Sequence, residues 1–193
     1  MRTRSLMAGA AFLAATLAAP AHAQAFWTDW TTLGTNVVSG SMNVGGSAVG
    51  VTYEGPYAFA QTACGTDYWT GPATTYLPSR PPGCDIIALS TGGLKTIRFD
   101  RPVENPLLAL VSWNSQPGVT FSAPIEIVSQ GAGFFGSGTF SITGNNTLVG
   151  SGEAHGVIRL AGTFSEFTFT NAPEFWHGFT VGVEGLGEER EPP

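Results

Sequence analysis

Two histidines and two glutamates in the last quarter of the chain, Glu153, His155, Glu174 and His177, are the residue types most suited to doing chemistry. Imidazole nitrogens and carboxylate oxygens ligate divalent transition metals, and a histidine beside a carboxylate can act as a general base. Glu153 and His155 are two apart, so on an extended strand they share a face, and a strand carrying His177 could pair nearby. The spacing argues the other way. No HEXXH pattern is present, and a transition-metal site needs three or four ligands with a second shell holding each imidazole. His177 sits in Phe175-Trp176-His177-Gly178-Phe179, an aromatic alternation in which a histidine is usually a hydrogen-bonded structural residue. Gly156 and Gly178 would let backbone come close to each ring. The sequence therefore predicts structural histidines, no metal and no cofactor, with Glu153, His155, Glu174 and His177 kept as an alternative metal or carboxylate set.

Nucleophilic chemistry has less support. No GxSxG elbow occurs, and the glycine-rich run Gly131 to Gly138 lacks the lysine and helix of a phosphate loop, so it reads as a bent loop or bulge between strands. Asn145-Asn146-Thr147 reads as a turn. Aromatic residues offer a different chemistry. Trp27, Trp30, Tyr53, Tyr57, Tyr68, Trp69 and Tyr76 fall in the first half, several among Gly and Pro. A flat ring can cover the C–H face of a pyranose, and Tyr68 and Trp69 are adjacent in a loop, so at least one of them is expected to face outward as a ligand-binding surface.

The elements that must position these residues are strands. Two-residue alternation recurs where 3.6-residue periodicity is missing. Val49 to Tyr53 and Tyr57 to Phe59 read as a hairpin or bent pair around Gly55-Pro56. Leu107 to Trp113 is nearly all apolar, which predicts a central strand covered on both faces. Further strands are expected at Ile86 to Leu89, Ile97 to Phe99, Val119 to Phe121, Ile125 to Val128, Phe140 to Ile142, Thr147 to Val149, Val157 to Leu160, Phe164 to Phe169 and Phe175 to Val183. Many short strands closed by turn residues predict an all-β fold, an antiparallel β-sandwich of jelly-roll type.

Arg2 and Arg4, the apolar run Leu6 to Leu17 and Ala21-His22-Ala23 have the layout of an export signal over residues 1–23, too short for a membrane span of about 20 residues. No later apolar run reaches that length. Cys64 and Cys84 are the only cysteines. An even count in an exported chain predicts a disulfide, closing a loop rich in Gly and Pro and limiting its disorder by roughly 3 kcal/mol. One β-sandwich domain is expected over residues 24–185 and a charged, disordered tail over 186–193. Charged residues make up 11% of the chain. Losing the signal leaves six basic against 14 acidic residues. That balance disfavours nucleic acid as a partner.

The runs IRFDRPVENPLLALVSW (Ile97 to Trp113) and EAHGVIRLAGTFSEFTFTNAPEFWHGFTVGV (Glu153 to Val183) resemble an exported bacterial β-domain associated with PEP-CTERM sorting. The resemblance implies export by a Gram-negative, often exopolysaccharide-producing bacterium, and no general enzymatic activity. The family's terminal Pro-Glu-Pro signal, membrane helix and Arg cluster are missing, which favours periplasmic or secreted release. The expected function is a noncatalytic exported β-sandwich that binds or structures extracellular material, polysaccharide first. The alternative is a metal-dependent or carboxylate-based glycan hydrolase.

Overall fold

A computed structural model describes residues 24–114 and 118–188. The expected export signal and residues 189–193 of the expected tail lie outside the described residues. The strands, in chain order, are β1 (Phe26–Trp27), β2 (Asp29–Gly34), β3 (Val37–Val44), β4 (Ser47–Glu54), β5 (Phe59–Thr62), β6 (Asp85–Leu89), β7 (Gly93–Glu104), β8 (Leu107–Val111), β9 (Val119–Phe121), β10 (Ile125–Gly131), β11 (Thr139–Thr143), β12 (Thr147–Ser151), β13 (His155–Leu160), β14 (Thr163–Asn171), β15 (His177–Val183) and β16 (Gly185–Leu186). Among the described residues a single 3-10 turn, Ala73–Thr75, is the one helical element.

Two antiparallel sheets pack face to face. One runs β10-β13-β8-β15-β6-β5, with β1 added on β15; the other runs β11-β12-β9-β14-β7-β4-β3-β2, with β16 on β7. From β7 to β14 the chain winds as a doubled-over hairpin. β7 lies on β14, β8 on β13 and β9 on β12. This nested pairing is the jelly-roll winding predicted from the short strands.

The core between the sheets is built by alternation. In β4 the inward set Val49, Val51 and Tyr53 is buried, and their neighbours are half-exposed or exposed. Trp113 stands at the centre of this core, its indole N–H donating to the Gly178 carbonyl at 2.7 Å, with the Phe169 and Phe179 rings against it. Burying an indole requires such a partner. Gly150 is required beside it, because a Cβ there would fall 1.8 Å from the Trp113 carbonyl oxygen.

β8 is buried along its whole length, as its apolar run predicts. Leu108 and Leu110 face the inter-sheet core, whereas Leu107, Ala109 and Val111 face outward into a second cluster. The cover over that outer face is the segment between β5 and β6, closed by the Cys64–Cys84 disulfide. Trp69 and Tyr76 from it pack edge to face, with ring centroids 5.5 Å apart. Hydrogen bonds anchor the cover at several points. Trp69 donates its indole N–H to the Asp85 carbonyl at 3.1 Å, Thr75 donates its hydroxyl to Ala132 O at 2.8 Å, and Leu77 N–H donates to Ser129 Oγ at 3.0 Å.

Several expectations are corrected. β4 and β5 do not form a hairpin: β4 pairs with β3 and β7 in one sheet and β5 with β6 in the other. The Gly55-Pro56 break carries the chain across the sandwich, since proline withholds a ladder donor and ends pairing. β1, β2 and β3 were not foreseen, because Ser, Thr and Gly dilute their alternation. β15 begins at His177, leaving Phe175 outside it. The chain also stays paired beyond residue 185: Leu186 lies opposite Val103, and Gly187 N–H donates to Pro102 O at 3.0 Å.

Candidate functional site

β8 ends where β13 and β15 begin, since Gly156 lies opposite Leu110 and Gly178 opposite Val111. The connections leaving these three strands therefore gather at one end of the sheet. With the disulfide loop they enclose a cleft of about 590 Å³ lined by Tyr68, Ser112, Asn114, Phe135, Glu153, Glu174, Phe175 and Trp176.

Its walls are aromatic. Tyr68 lies 5.2 Å from Trp176 and 5.1 Å from Phe134 between ring centroids, and Phe135 lies 5.0 Å from Trp176. Phe59 approaches Trp176 from β5 at 6.5 Å. Phe59, Phe134, Phe135 and Phe175 are all exposed, Phe175 almost completely at 99%. Water gains nothing from such a surface, and contiguous exposed rings rimmed by polar groups mark an interaction site. Phe134 and Phe135 ride at the tip of the Gly131 to Gly138 loop, which is the bent loop between strands that its glycines predict. The loop closes with Gly133 N–H donating to Gly136 O at 2.8 Å.

The polar floor comes from two carboxylates. Glu153 accepts from the Ser112 hydroxyl on one oxygen and from Asn114 Nδ2, at 3.3 Å, on the other. Ser112 is buried and holds a left-handed backbone, φ 61°, that L-residues adopt at an energetic cost. That backbone aims its hydroxyl at Glu153. On the opposite side Glu174, its backbone N–H donating to Ser90 O at 3.2 Å, places Oε2 3.2 Å from His177 Nδ1.

The two histidines stand behind this floor. His155 Nδ1 is 2.8 Å from the Glu153 carbonyl, and its Nε2 accepts the Phe135 N–H at 3.3 Å. The first contact requires Nδ1 to carry the proton and the second leaves Nε2 unprotonated. Burial pushes the His155 pKa below its ordinary 6.5, in agreement with a neutral ring. His177 Nε2 lies 3.1 Å from Asn171 Nδ2. That amide nitrogen also faces the Ala172 and Thr91 carbonyls, which fixes the amide's orientation and makes Nε2 the acceptor.

The alternative metal set is thereby corrected. Glu153 and Glu174 line the cleft, but both ring nitrogens of each histidine face protein groups. β8 also lies between β13 and β15, so His155 and His177 are held apart. Among the described residues no group of three His, Cys, Asp or Glu side chains is arranged to hold a metal ion. Gly133 brings its backbone against His155: a Cβ there would fall 2.3 Å from the ring. A Cβ at Gly178 would meet Ile86 at 2.5 Å and the Trp176 ring at 3.0 Å.

The expected aromatic pair divides. Tyr68 lines the cleft, whereas Trp69 is 1% exposed and belongs to the packed cover, so Trp69 is corrected from ligand contact to core residue. Odd and even positions of an irregular loop carry no fixed facing, and the choice was made by the apolar outer face of β8. Sequence reasoning missed Phe134, Phe135, Phe175 and Trp176 as surface rings. The Phe-Phe pair between glycines was the available signal, since large apolar residues in a glycine-rich turn have no strand face to fill.

By architecture and site the chain is an antiparallel jelly-roll sandwich carrying an aromatic cleft at the end of one sheet. No protein-family model, no curated protein and no solved structure matches it. Among the described residues no helix is long and apolar enough to cross a membrane.

Proposed function

We propose that this chain is a noncatalytic, exported carbohydrate-binding sandwich that takes polysaccharide into the aromatic cleft. The observation that carries the reading is the surface cluster of Phe59, Tyr68, Phe134, Phe135, Phe175 and Trp176, set beside the hydrogen-bonding groups of Ser112, Asn114, Glu153 and Glu174. Aromatic faces match the C–H surface of a sugar ring, and the polar groups match its hydroxyls. The Cys64–Cys84 disulfide supports an oxidising, extracytoplasmic setting, and so do the signal-like N-terminal sequence and the resemblance to exported PEP-CTERM-associated β-domains.

A glycan array followed by calorimetry tests the reading. Trp176→Ala and Phe135→Ala should each weaken polysaccharide binding by about 10-fold or more, a stacking contact being worth about 0.5–1.5 kcal/mol beyond its buried area. Retention of full affinity in both variants would refute it.

The shared cleft position of Glu153 and Glu174 favours one second reading, carboxylate-based glycan hydrolysis. Release of new reducing ends from a bound polysaccharide, abolished in Glu153→Gln or Glu174→Gln, would establish it in place of simple binding.

A further inference from the structure

We propose that His155, buried behind the cleft, is a positioning residue for the bound sugar: one neutral imidazole holds the aromatic wall at Phe135 to the polar floor at Glu153, and protonation of the ring releases the wall. The inference rests on the carbohydrate-binding reading and adds its regulation by pH.

The glycine-rich loop that carries Phe134 and Phe135 is fixed at its base. Thr75 donates its hydroxyl to Ala132 O at 2.8 Å on one side, and Gly138 N–H donates to Glu153 O at 2.8 Å on the other. The exposed tip is tied to β13 by a longer contact, Phe135 N–H to His155 Nε2 at 3.3 Å. The loop also rests on the groups it covers. A Cβ at Gly133 would fall 2.3 Å from the imidazole, and one at Gly136 would fall 3.0 Å from Glu153 Cβ. His155 is fully buried. Its Nδ1 bonds the Glu153 carbonyl at 2.8 Å, so a single ring joins the backbones of two residues that line the cleft.

A second proton on the ring undoes this arrangement. Nε2 then becomes a donor and meets the Phe135 N–H donor to donor, while the bond from Nδ1 to the Glu153 carbonyl survives. A buried imidazolium also needs hydration, which it reaches when the loop tip lifts. Phe135 then leaves Trp176, 5.0 Å away between ring centroids, and Phe134 leaves Tyr68, 5.1 Å away. Gly133 and Gly136 flank the two phenylalanines and let the tip move without the base.

The surroundings of the ring leave it as the group that senses pH here. Burial holds its pKa below the ordinary 6.5, against the opposing pull of Glu153, the charged group that acts on it. β10 places Gly131 opposite His155, the loop brings Gly133 and Phe135, and β8 on the far side of β13 is the apolar run Leu107–Val111. None of these titrates. Tyr76, at the end of the 3-10 turn, has its phenol pushed upward by burial and stays neutral. His177 and Glu174 stand across β8. Their titration is common to the native chain and to every His155 variant.

The test is calorimetry on the full chain from about pH 7.5 to about pH 5 with three uncharged probes: cellohexaose, laminarihexaose and N-acetylchitohexaose. Affinity should hold steady above about pH 7 and then fall by up to about 10-fold per pH unit, the limit for one proton. His155→Gln keeps a hydrogen-bonding group that does not titrate, so it should bind near neutrality and lose the slope. His155→Ala should bind about 3- to 10-fold more weakly than the native chain near neutrality, again without the slope. A flat native profile, or a slope that persists in both variants, would overturn the inference and leave the carbohydrate reading standing. A second arm uses the unaltered protein without ligand, so it decides the matter even where a variant fails to fold. In nitrogen-15 NMR, protonation of His155 Nε2 should coincide with loss of hydrogen-exchange protection at the Phe135 amide, and protection that outlasts the titration would also overturn it. Failure of all three probes, together with failure on the glycan array, would remove the carbohydrate reading and this inference with it.

Discussion

The two faces of the β10-β13-β8-β15-β6-β5 sheet are both buried, but by unlike means. Its inner face meets the second sheet, where side chains from regular strands interdigitate around Trp113. Its outer face is covered by the irregular segment from Cys64 to Cys84, where Trp69 and Tyr76 fill the space that a third layer would occupy. The inner contact is specified by periodicity and holds itself together. The outer one has almost no ladder of its own and depends on side-chain anchors and a covalent tie. Tyr68, one residue from Trp69, is carried to the cleft by this cover, so the less regular region is the one that builds the site.

The largest effect should come from the inner core. Trp113→Ala removes the central indole, its bond to Gly178 O and its contacts with Phe169 and Phe179. A loss of about 3–5 kcal/mol is expected, measured as a fall in the denaturant midpoint with unfolding still a single transition. A smaller loss than that of any cover residue would invert the comparison.

Next in size is release of the cover. Replacing Cys64 and Cys84 together by Ser frees a 20-residue separation in sequence. A cost of about 2–4 kcal/mol is expected. The loop should become the first site of proteolytic cutting, while the far-UV circular dichroism of the sandwich persists. Cleft binding should weaken with it, because Tyr68 loses its support. Simultaneous loss of loop and sheets in one transition would show that the two faces are a single cooperative unit.

The same contrast explains how much of the molecule was legible. Alternation exposed the sandwich, and the unbroken apolar run of β8 announced a strand covered twice. It could not say by what. The cover follows no period, so the burial of Trp69 and the outward placing of Tyr68 are decided by the surface they meet, which is assembled from β6, β8 and β13. The cleft had the same weakness. Glu153 and Glu174 were identified as a chemical set, but their shared position depends on β8 ending beside the starts of β13 and β15. The histidines were legible as hydrogen-bonded residues; their partners, Phe135 N–H and Asn171, come from other segments.

His155 sits where the inner fold supports the site, and its replacement by Ala should have an intermediate effect. The Glu153 carbonyl and the Phe135 N–H lose their partner, which costs about 1–3 kcal/mol. Because burial holds the folded pKa below 6.5, the unfolded chain takes up the proton first as pH falls. The native protein should thus lose stability from about pH 7 downward until the lowered folded pKa is reached, and His155→Ala should remove that slope. Metal content should be the same in both proteins; near one equivalent of zinc, copper or manganese in the native chain, lost in the variant, would restore the metal reading.

Asp85 should give the smallest change, of opposite sign, at the other end of the cover. Its carboxylate accepts the Trp30 N–H at 3.2 Å and its carbonyl accepts the Trp69 indole, so it ties both sheets to the disulfide loop. Burial, opposed by that hydrogen bond and assisted by nearby Asp29, pushes its pKa from 3.8 up to about 6. The folded state then holds a proton that the unfolded chain releases between those values. Stability contributed by the protonated form is complete below about pH 4 and disappears as pH rises through about 6. Asp85→Asn keeps an acceptor for Trp30 and removes the charge, at the expense of a buried amide that needs partners of its own. A net gain of about 1 kcal/mol above pH 6.5 is expected, turning into a net loss near pH 4 where only the cost of the buried amide is left, read from thermal midpoints across that range. An equal gain at both pH values would mean that the benefit comes from packing in the cover and not from Asp85 ionisation.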